Sequence, residues 1–362
     1  MLEQTLGHVA HSRNIERALA ADPEIEATVI RVGFTDPVGV QRLPGLRTWS
    51  WRASVAARDA LRRRLADGPV DAIFIHTQVA SLLAGEIMKS IPTVVSLDAT
   101  PRLFDREGEA YGHRRAPELV ESIKRRINER ALTSAARLVT WCQWAAYSLV
   151  ADYGAPVEKI DVIPPGVSLD LFRPTLLPKK SERPRILFVG GQFDRKGGPD
   201  LLEAARSFGD SIELDIVTSG EVGTIPAGVR ANIHRSLKPQ SENLVTLYRN
   251  ADIFALPSRG DCMPQAVIEA IACGLPVVAT RVGAIPEMVS DGVNGYLVPA
   301  RDPRALSSAI HALLKNPGRR HAMGHHSRVL AQQAYDAARN NQRIFDIMKR
   351  LAIGRLATEK SA

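Results

Sequence analysis

Ile253-Phe-Ala-Leu-Pro-Ser-Arg-Gly-Asp-Cys-Met-Pro-Gln-Ala-Val-Ile-Glu-Ala-Ile-Ala-Cys-Gly-Leu-Pro-Val-Val-Ala-Thr280 is the stretch that decides the architecture. Residues 253–256 and 277–280 are short apolar runs, the pattern of parallel strands covered on both faces. Residues 265–272 between them read as a helix, and 257–264 as the turn that leads into it. Strand, turn, helix and strand in that order predict a βαβ unit of an open parallel sheet.

Working outward, strands over 185–189 and 212–217 and helices over 200–206 and 242–248 extend the same sheet. After Pro303 the pattern is helical to about Arg350, and the final residues read as frayed and polar. The first half repeats the alternation, with strands over 27–32, 72–75, 93–97 and 137–140 and helices over 54–65 and 116–132. A helix-like segment over 8–20 follows the first residues so closely that the usual opening strand is expected to be absent, unless the true start lies upstream. Ile163-Pro-Pro-Gly-Val and Phe172-Arg-Pro-Thr-Leu-Leu-Pro cannot continue a regular element, which places a linker there. The expected fold class is α/β, with two Rossmann-like doubly wound domains over 1–165 and 183–340. A linker over 166–182 joins them, and a C-terminal helix and tail cover 341–362.

The chain of 362 residues is long enough for two independent cores. Its apolar runs are far shorter than the roughly 20 residues of a membrane span. Three scattered cysteines form neither a disulfide framework nor a metal pattern, and no secretory leader opens the chain, so a cytoplasmic location is expected. The net charge of +8 suits an anionic partner. Basic runs at Arg62 to Arg64 and Lys124 to Arg126 lie on helices without interleaved aromatic residues, which argues against nucleic acid. The same runs allow peripheral contact with an anionic inner membrane face. Oligomeric state leaves no trace in the pattern.

Chemistry enters at Asp261 and Glu269, seven intervening residues apart, one in a turn and one inside the next helix. Both can face the cleft at the carboxyl end of the preceding strand, where open α/β sheets bind ligands. The plainer alternative is that Asp261 caps the helix and Glu269 is solvated. After the strand 185–189, Gly190, Gly191, Gly197 and Gly198 let the backbone approach a ligand, with Arg195 and Lys196 as two cations. This segment reads equally as a strand-to-helix turn and as a diphosphate cradle. No G-x-G-x-x-G fingerprint follows any strand, which argues against a nicotinamide dehydrogenase.

The acidic stretch resembles the E-x(7)-E signature of retaining GT-B glycosyltransferases of family 4, with Asp261 in place of the first Glu. The resemblance extends to Gly283-Ala-Ile-Pro-Glu-Met-Val, to Asp291-Gly-Val-Asn-Gly-Tyr-Leu-Val-Pro and to Phe188-Val-Gly-Gly-Gln-Phe-Asp-Arg-Lys-Gly-Gly. It also covers the linker Ile163-Pro-Pro-Gly-Val-Ser-Leu-Asp-Leu-Phe-Arg-Pro. It implies a GT-B fold of two domains facing across a cleft, with the nucleotide sugar on the C-terminal half and the acceptor on the N-terminal half. Glu269 then holds the ribose hydroxyls, and Asp261, one methylene shorter than Glu, lies beside the donor sugar. Cys262, Met263 and Pro264 present backbone to sugar and phosphates, and Glu287 borders the donor pocket. Where many members carry Arg after the first glycine this chain has Gly191, so Arg195 is expected to join Lys196 in charge stabilisation of the leaving diphosphate. His234 and Arg235 follow a strand where the nucleobase usually packs.

Resemblance is looser in the first half. Asp98 ends a strand where relatives have His or Asp close to the reacting carbon, and a loop cap is the plain alternative. His76, at another strand end, and Gly7 and His8, opening the first helix, are acceptor-side candidates beside purely structural roles. Tyr111 and His113, in a loop, are candidates for meeting the acceptor. Expected catalytic residues are therefore Asp98, Arg195, Lys196 and Asp261. The resemblance implies retention of anomeric configuration, no cofactor beyond the nucleotide-sugar substrate and no metal. A rival reading is a catalytically impaired nucleotide-sugar-binding protein, motivated by Gly191, Asp261 and the doubtful first strand.

Overall fold

The computed structural model describes residues 1–4, 7–33, 49–108, 110–112, 117–175 and 183–361, with side chains to 357. It divides into two compact units: Met1–Arg106, Arg114–Pro164 and Ala338–Ala362 form the first, and Glu107–His113 with Pro165–Ala337 form the second. The expected partition kept Glu107–His113 inside the first domain and set 341–362 apart as a helix and tail, whereas here Glu107–His113 belongs to the second unit and the last helix to the first.

The first unit is built on a parallel sheet of β1 (Leu2–Glu3), β2 (Arg31–Val32), β3 (Ile73–His76), β4 (Thr93–Leu97), β5 (Arg137–Thr140) and β6 (Ile160–Val162). Its spatial order is β2-β1-β3-β4-β5-β6. The opening strand expected to be missing is present: two residues suffice, because the Leu2 amide donates to the Ile30 carbonyl (2.8 Å) and the Gln4 amide to the Val32 carbonyl (2.8 Å). On its other side the His76 amide donates to the Met1 carbonyl (3.0 Å), so β1 lies inside the sheet. Side chains alternate across the sheet with period two. Ile73, Ile75, Val95 and Leu97 bury against Ala53, Ala57 and Leu61 of the helix Trp49–Ala66. Leu2, Val94 and Val139 bury on the opposite face against Ile15 and against Ile344, Phe345 and Ile347. The last three belong to the helix Ala337–Ser361, which runs through the stretch expected to fray. Its apolar positions at helical spacing give it a face to bury, which propensity near a terminus does not reveal.

The second unit carries β7 (Arg185–Val189), β8 (Glu213–Val217), β9 (Arg230–His234), β10 (Ile253–Leu256), β11 (Val277–Thr280) and β12 (Gly295–Val298). These are ordered β12-β11-β10-β7-β8-β9, all parallel, the doubly wound order in which the chain reverses direction between the first and fourth strands. Phe254, Val277, Val278 and Ala279 are fully buried, as strands covered on both faces require. The two passages of chain that bound this unit run side by side. The Val167 amide donates to the Tyr335 carbonyl (2.9 Å) and the Ala337 amide to the Val167 carbonyl (3.1 Å).

Candidate active site

In the second unit, strand order alone fixes where a site can form. The chain reverses between β7 and β10, so the turns that follow these strands, 190–197 and 257–264, lie side by side at their carboxyl ends. Glycine makes the close approach possible. Gly197 has φ +78°, and a Cβ there would stand 1.8 Å from the Pro257 carbonyl oxygen. Gly190 lies under the Lys196 stem, 2.8 Å from its Cγ to an added Cβ. The Arg259 amide donates to the Arg195 carbonyl (2.8 Å), and the Arg259 guanidinium grips both oxygens of Asp200 at 3.1 and 2.9 Å.

This scaffold brings Lys196 and Asp261 together. The ammonium donates to Asp261 Oδ2, to which the Ser258 hydroxyl also donates at 3.0 Å. Both charges are largely buried, at 14% and 7% side-chain exposure. Burial pulls Lys196 below the usual lysine range, and Asp261 partly restores it. Asp261 does not cap the following helix: Pro264 holds that position. Cys262 and Met263 bury their side chains, and the Ala284 amide donates to the Cys262 carbonyl (2.9 Å), which ties the turn to the Gly283 loop. Glu287, in the short helix Ile285–Met288, is exposed.

Arg195 is engaged by its own surroundings. Its Nη1 donates to the Gly260 carbonyl at 2.8 Å, its Nε to Gln192 Oε1 at 2.5 Å, and its guanidinium lies 4.4 Å from the centre of the Tyr111 ring. Tyr111 therefore sits against Arg195, because its segment folds with the second unit. Ala110, Tyr111, Gln192, Arg195, Gly220 and Glu221 line part of a pocket of about 330 Å³. Gly191 leaves an added Cβ 3.4 Å from Ser219 Oγ, and its carbonyl accepts from that hydroxyl at 3.0 Å.

Glu269 is buried on the helix Gln265–Ala272, where burial pushes its carboxyl up to about 7 and the neighbouring Tyr248 hydroxyl partly offsets that. Tyr248 and Cys273 are its ionisable neighbours, and its charge raises both of them further. His234 pairs with Asp215 Oδ1 at 2.9 Å, and Arg235 donates to the Gly220 carbonyl at 3.1 Å.

The first unit has its own switch point, between β1 and β3, and there His8 and His76 meet: Nε2 of His76 lies 3.0 Å from Nδ1 of His8. His11, one helical turn on, packs edge-on to His76, with ring centres 4.9 Å apart, and Trp141 stacks on His76 at 5.1 Å. Burial pulls His11 down to about 3, and His76 falls well below the usual histidine range for the same reason. Asp98 Oδ1 accepts from its neighbour's amide, Ala99 (2.9 Å), and burial raises its carboxyl, with His8 opposing and Glu3 assisting. Gly7 precedes the first helix, with open space where a side chain would stand. His113 lies outside the described residues. Sequence reasoning missed His11, Trp141, Ser258 and Glu107, and of these only His11 carried a signal, its spacing of three from His8.

Among the described residues, no group of three or more His, Cys, Asp or Glu is placed to hold a metal ion, and no helix is long and apolar enough to cross a membrane.

Two doubly wound parallel sheets in one chain give the two-domain α/β architecture of the GT-B class. The whole chain superposes on sucrose-phosphate synthase from Thermosynechococcus elongatus with a TM-score of 0.74, covering 98% of this chain and 96% of that one at 19% identity, which speaks for the fold. Residues 183–316 match the model of glycosyl transferases group 1, and residues 7–171 that of glycosyltransferase family 4. The chain is 30% identical over 289 residues to a D-inositol 3-phosphate glycosyltransferase of Paenarthrobacter aurescens, covering 74% of this chain and 69% of the relative. It is 28% identical over 336 residues to the enzyme of that name from Pseudarthrobacter chlorophenolicus, covering 86% and 78%. The chain belongs to the family 4, group 1 glycosyltransferases, and it is a glycosyltransferase.

Proposed function

We propose that the enzyme moves a sugar from a nucleoside diphosphate sugar to a hydroxyl of a glycan or glycolipid precursor, with retention of anomeric configuration. The observation that carries the reading is the buried Lys196–Asp261 pair where β7 and β10 part company. A diphosphate arriving there takes over the Lys196 ammonium, and the released Asp261 carboxylate becomes free to accept from a hydroxyl of the donor sugar. Hydrogen bonds to charged groups contribute about 1.5–3 kcal/mol each. Their value grows as the diphosphate departs and its charge increases. Glu269 holds the ribose hydroxyls, and the backbone amides of Cys262 and Met263 serve the phosphates. In the first unit Asp98, His8 and His76 serve the acceptor hydroxyl. No cofactor or resident metal takes part in this scheme.

Two named relatives act on D-inositol 3-phosphate, which makes a phosphorylated polyol the first alternative acceptor to try. A lipid-linked glycan is favoured by the helix Glu118–Ser134, whose Leu119 and Ile123 are 73% and 51% exposed close to Lys124, Arg125 and Arg126. Such a face suits peripheral contact with an anionic membrane on the cytoplasmic side. The test is incubation with a panel of sugar nucleotides and both acceptor types, with the product's anomeric coupling read by NMR. Transfer with the donor's own configuration supports the reading. An inverted product, or nucleotide release with no transfer to any acceptor, removes it.

A further inference from the structure

Both cations of the proposed cradle are held by the protein itself. Lys196 is held by Asp261, and Arg195 by the Gly260 carbonyl, Gln192 and the Tyr111 ring. Tyr111 comes from Glu107–His113, a piece of the first half of the chain that folds with the second unit. The same segment brings Glu107 to the other turn. Its Oε2 stands 3.2 Å from where a Cβ on Gly260 would lie. Tyr111 also sets its hydroxyl 3.9 Å from Cys262 Sγ and, with Ala110, forms one wall of the 330 Å³ pocket whose other wall includes Gln192 and Arg195.

We propose that Glu107 and Tyr111 form an internal strap that engages the diphosphate cradle in the donor-free enzyme, and that the nucleoside diphosphate sugar binds by displacing it. The inference rests on the donor site proposed above. The strap satisfies the cradle in kind: a π face covers the guanidinium, and the Glu107 carboxylate stands beside Gly260 in the Asp261 turn. It also sets one carboxylate near another: burial, and after it Asp261, raises the Glu107 carboxyl. A donor that must first open the strap binds with an affinity reduced by the fraction of molecules already open.

The experiment is calorimetric titration of the full chain with the sugar nucleotide that binds best. Wild type is compared with Tyr111→Ala, Glu107→Gln and Tyr111→Phe, after each variant has been shown to unfold like wild type. Loosening the strap by Tyr111→Ala is expected to tighten donor binding roughly threefold to tenfold. Glu107→Gln shifts affinity in the same direction, and Tyr111→Phe, which keeps the ring over Arg195, binds as wild type does. Unchanged or weaker binding by Tyr111→Ala overturns the strap and makes the tyrosine a donor contact. Absence of binding by all four proteins overturns the donor-site reading, and the strap with it.

Discussion

Lys196 and Asp261, 65 positions apart in the chain, meet as a buried ion pair because β7 and β10 are neighbours in the second sheet. Removing one charge leaves the other buried, a loss of about 3–5 kcal/mol for pairs of this kind. Lys196→Ala is therefore expected to lose stability as well as turnover, and stability alone cannot identify the pair's role. The Lys196→Met, Asp261→Asn double variant separates the two effects. Denaturant unfolding should return most of the lost stability, while transfer stays down by about a hundredfold or more, the usual scale for a lost charge-stabilising donor. Recovery of activity along with stability would make the pair purely structural.

The turn 190–197 depends on glycine for two separable reasons. Gly197 and Gly209 both have positive φ, +78° and +54°, but only Gly197 faces an obstruction, the Pro257 carbonyl. Gly209→Ala should cost about 1 kcal/mol from backbone strain alone. Gly197→Ala adds displacement of the Pro257 turn, and should cost more than twice as much and abolish donor binding. Equal losses in urea unfolding would show that the two turns are not locked together.

Acid should destabilise the first unit before it affects the second. His11 is held down to about 3 and His76 well below its ordinary range, so both are neutral in the folded state. The unfolded chain takes up protons as pH falls through about 6.5, which makes stability complete above that value and progressively lost from there toward 3. Asp98, raised by burial, works in the opposite direction and softens the slope. Each histidine contributes about 1.4 kcal/mol per pH unit in the window. His11→Gln should lower the slope between pH 6 and 5 by about one proton. A slope identical to wild type would mean that His11 titrates normally.

Donor affinity should rise with pH through about 7. Burial holds Glu269 partly protonated near neutrality, and only the ionised carboxylate accepts from two ribose hydroxyls. Binding below pH 7 then releases a proton, detectable by calorimetry in buffers of different ionisation enthalpy. Glu269→Gln should bind more weakly at pH 8 and show no proton release. A wild-type affinity that is flat from pH 6 to 8 would place the ribose elsewhere.

Much of this was legible in the sequence, and the failures have physical causes. The strands over residues 185–189, 253–256 and 277–280 stand out because burial on both faces leaves polar residues only at their ends, Arg185 and Thr280. β1 was hidden because a strand of two residues between two neighbours needs hydrogen bonds rather than hydrophobic length. β9 is mostly exposed at the sheet edge, so Arg230 and Asn232 broke its apolar pattern. The final helix was expected, but not its run past Arg350 or its place against the first sheet, because what it covers, Val94 and Val139, lies some 200 residues or more away in the chain. Asp261 and Lys196 were each visible as candidates, but their pairing was not, since it depends on strand order. Glu107 gave no signal at all: its place beside Asp261 follows from a short segment folding with the second unit rather than with its chain neighbours.

The central claim is that a nucleoside diphosphate lies where Lys196 meets Asp261. Calorimetric unfolding of the full chain with and without UDP, GDP and ADP sugars tests it most directly, with the Lys196→Met, Asp261→Asn variant alongside. A donor at 100 times its dissociation constant should stabilise the wild-type protein by about 2.7 kcal/mol. The account requires that this stabilisation be largely lost in the variant. Equal stabilisation of both proteins would contradict it.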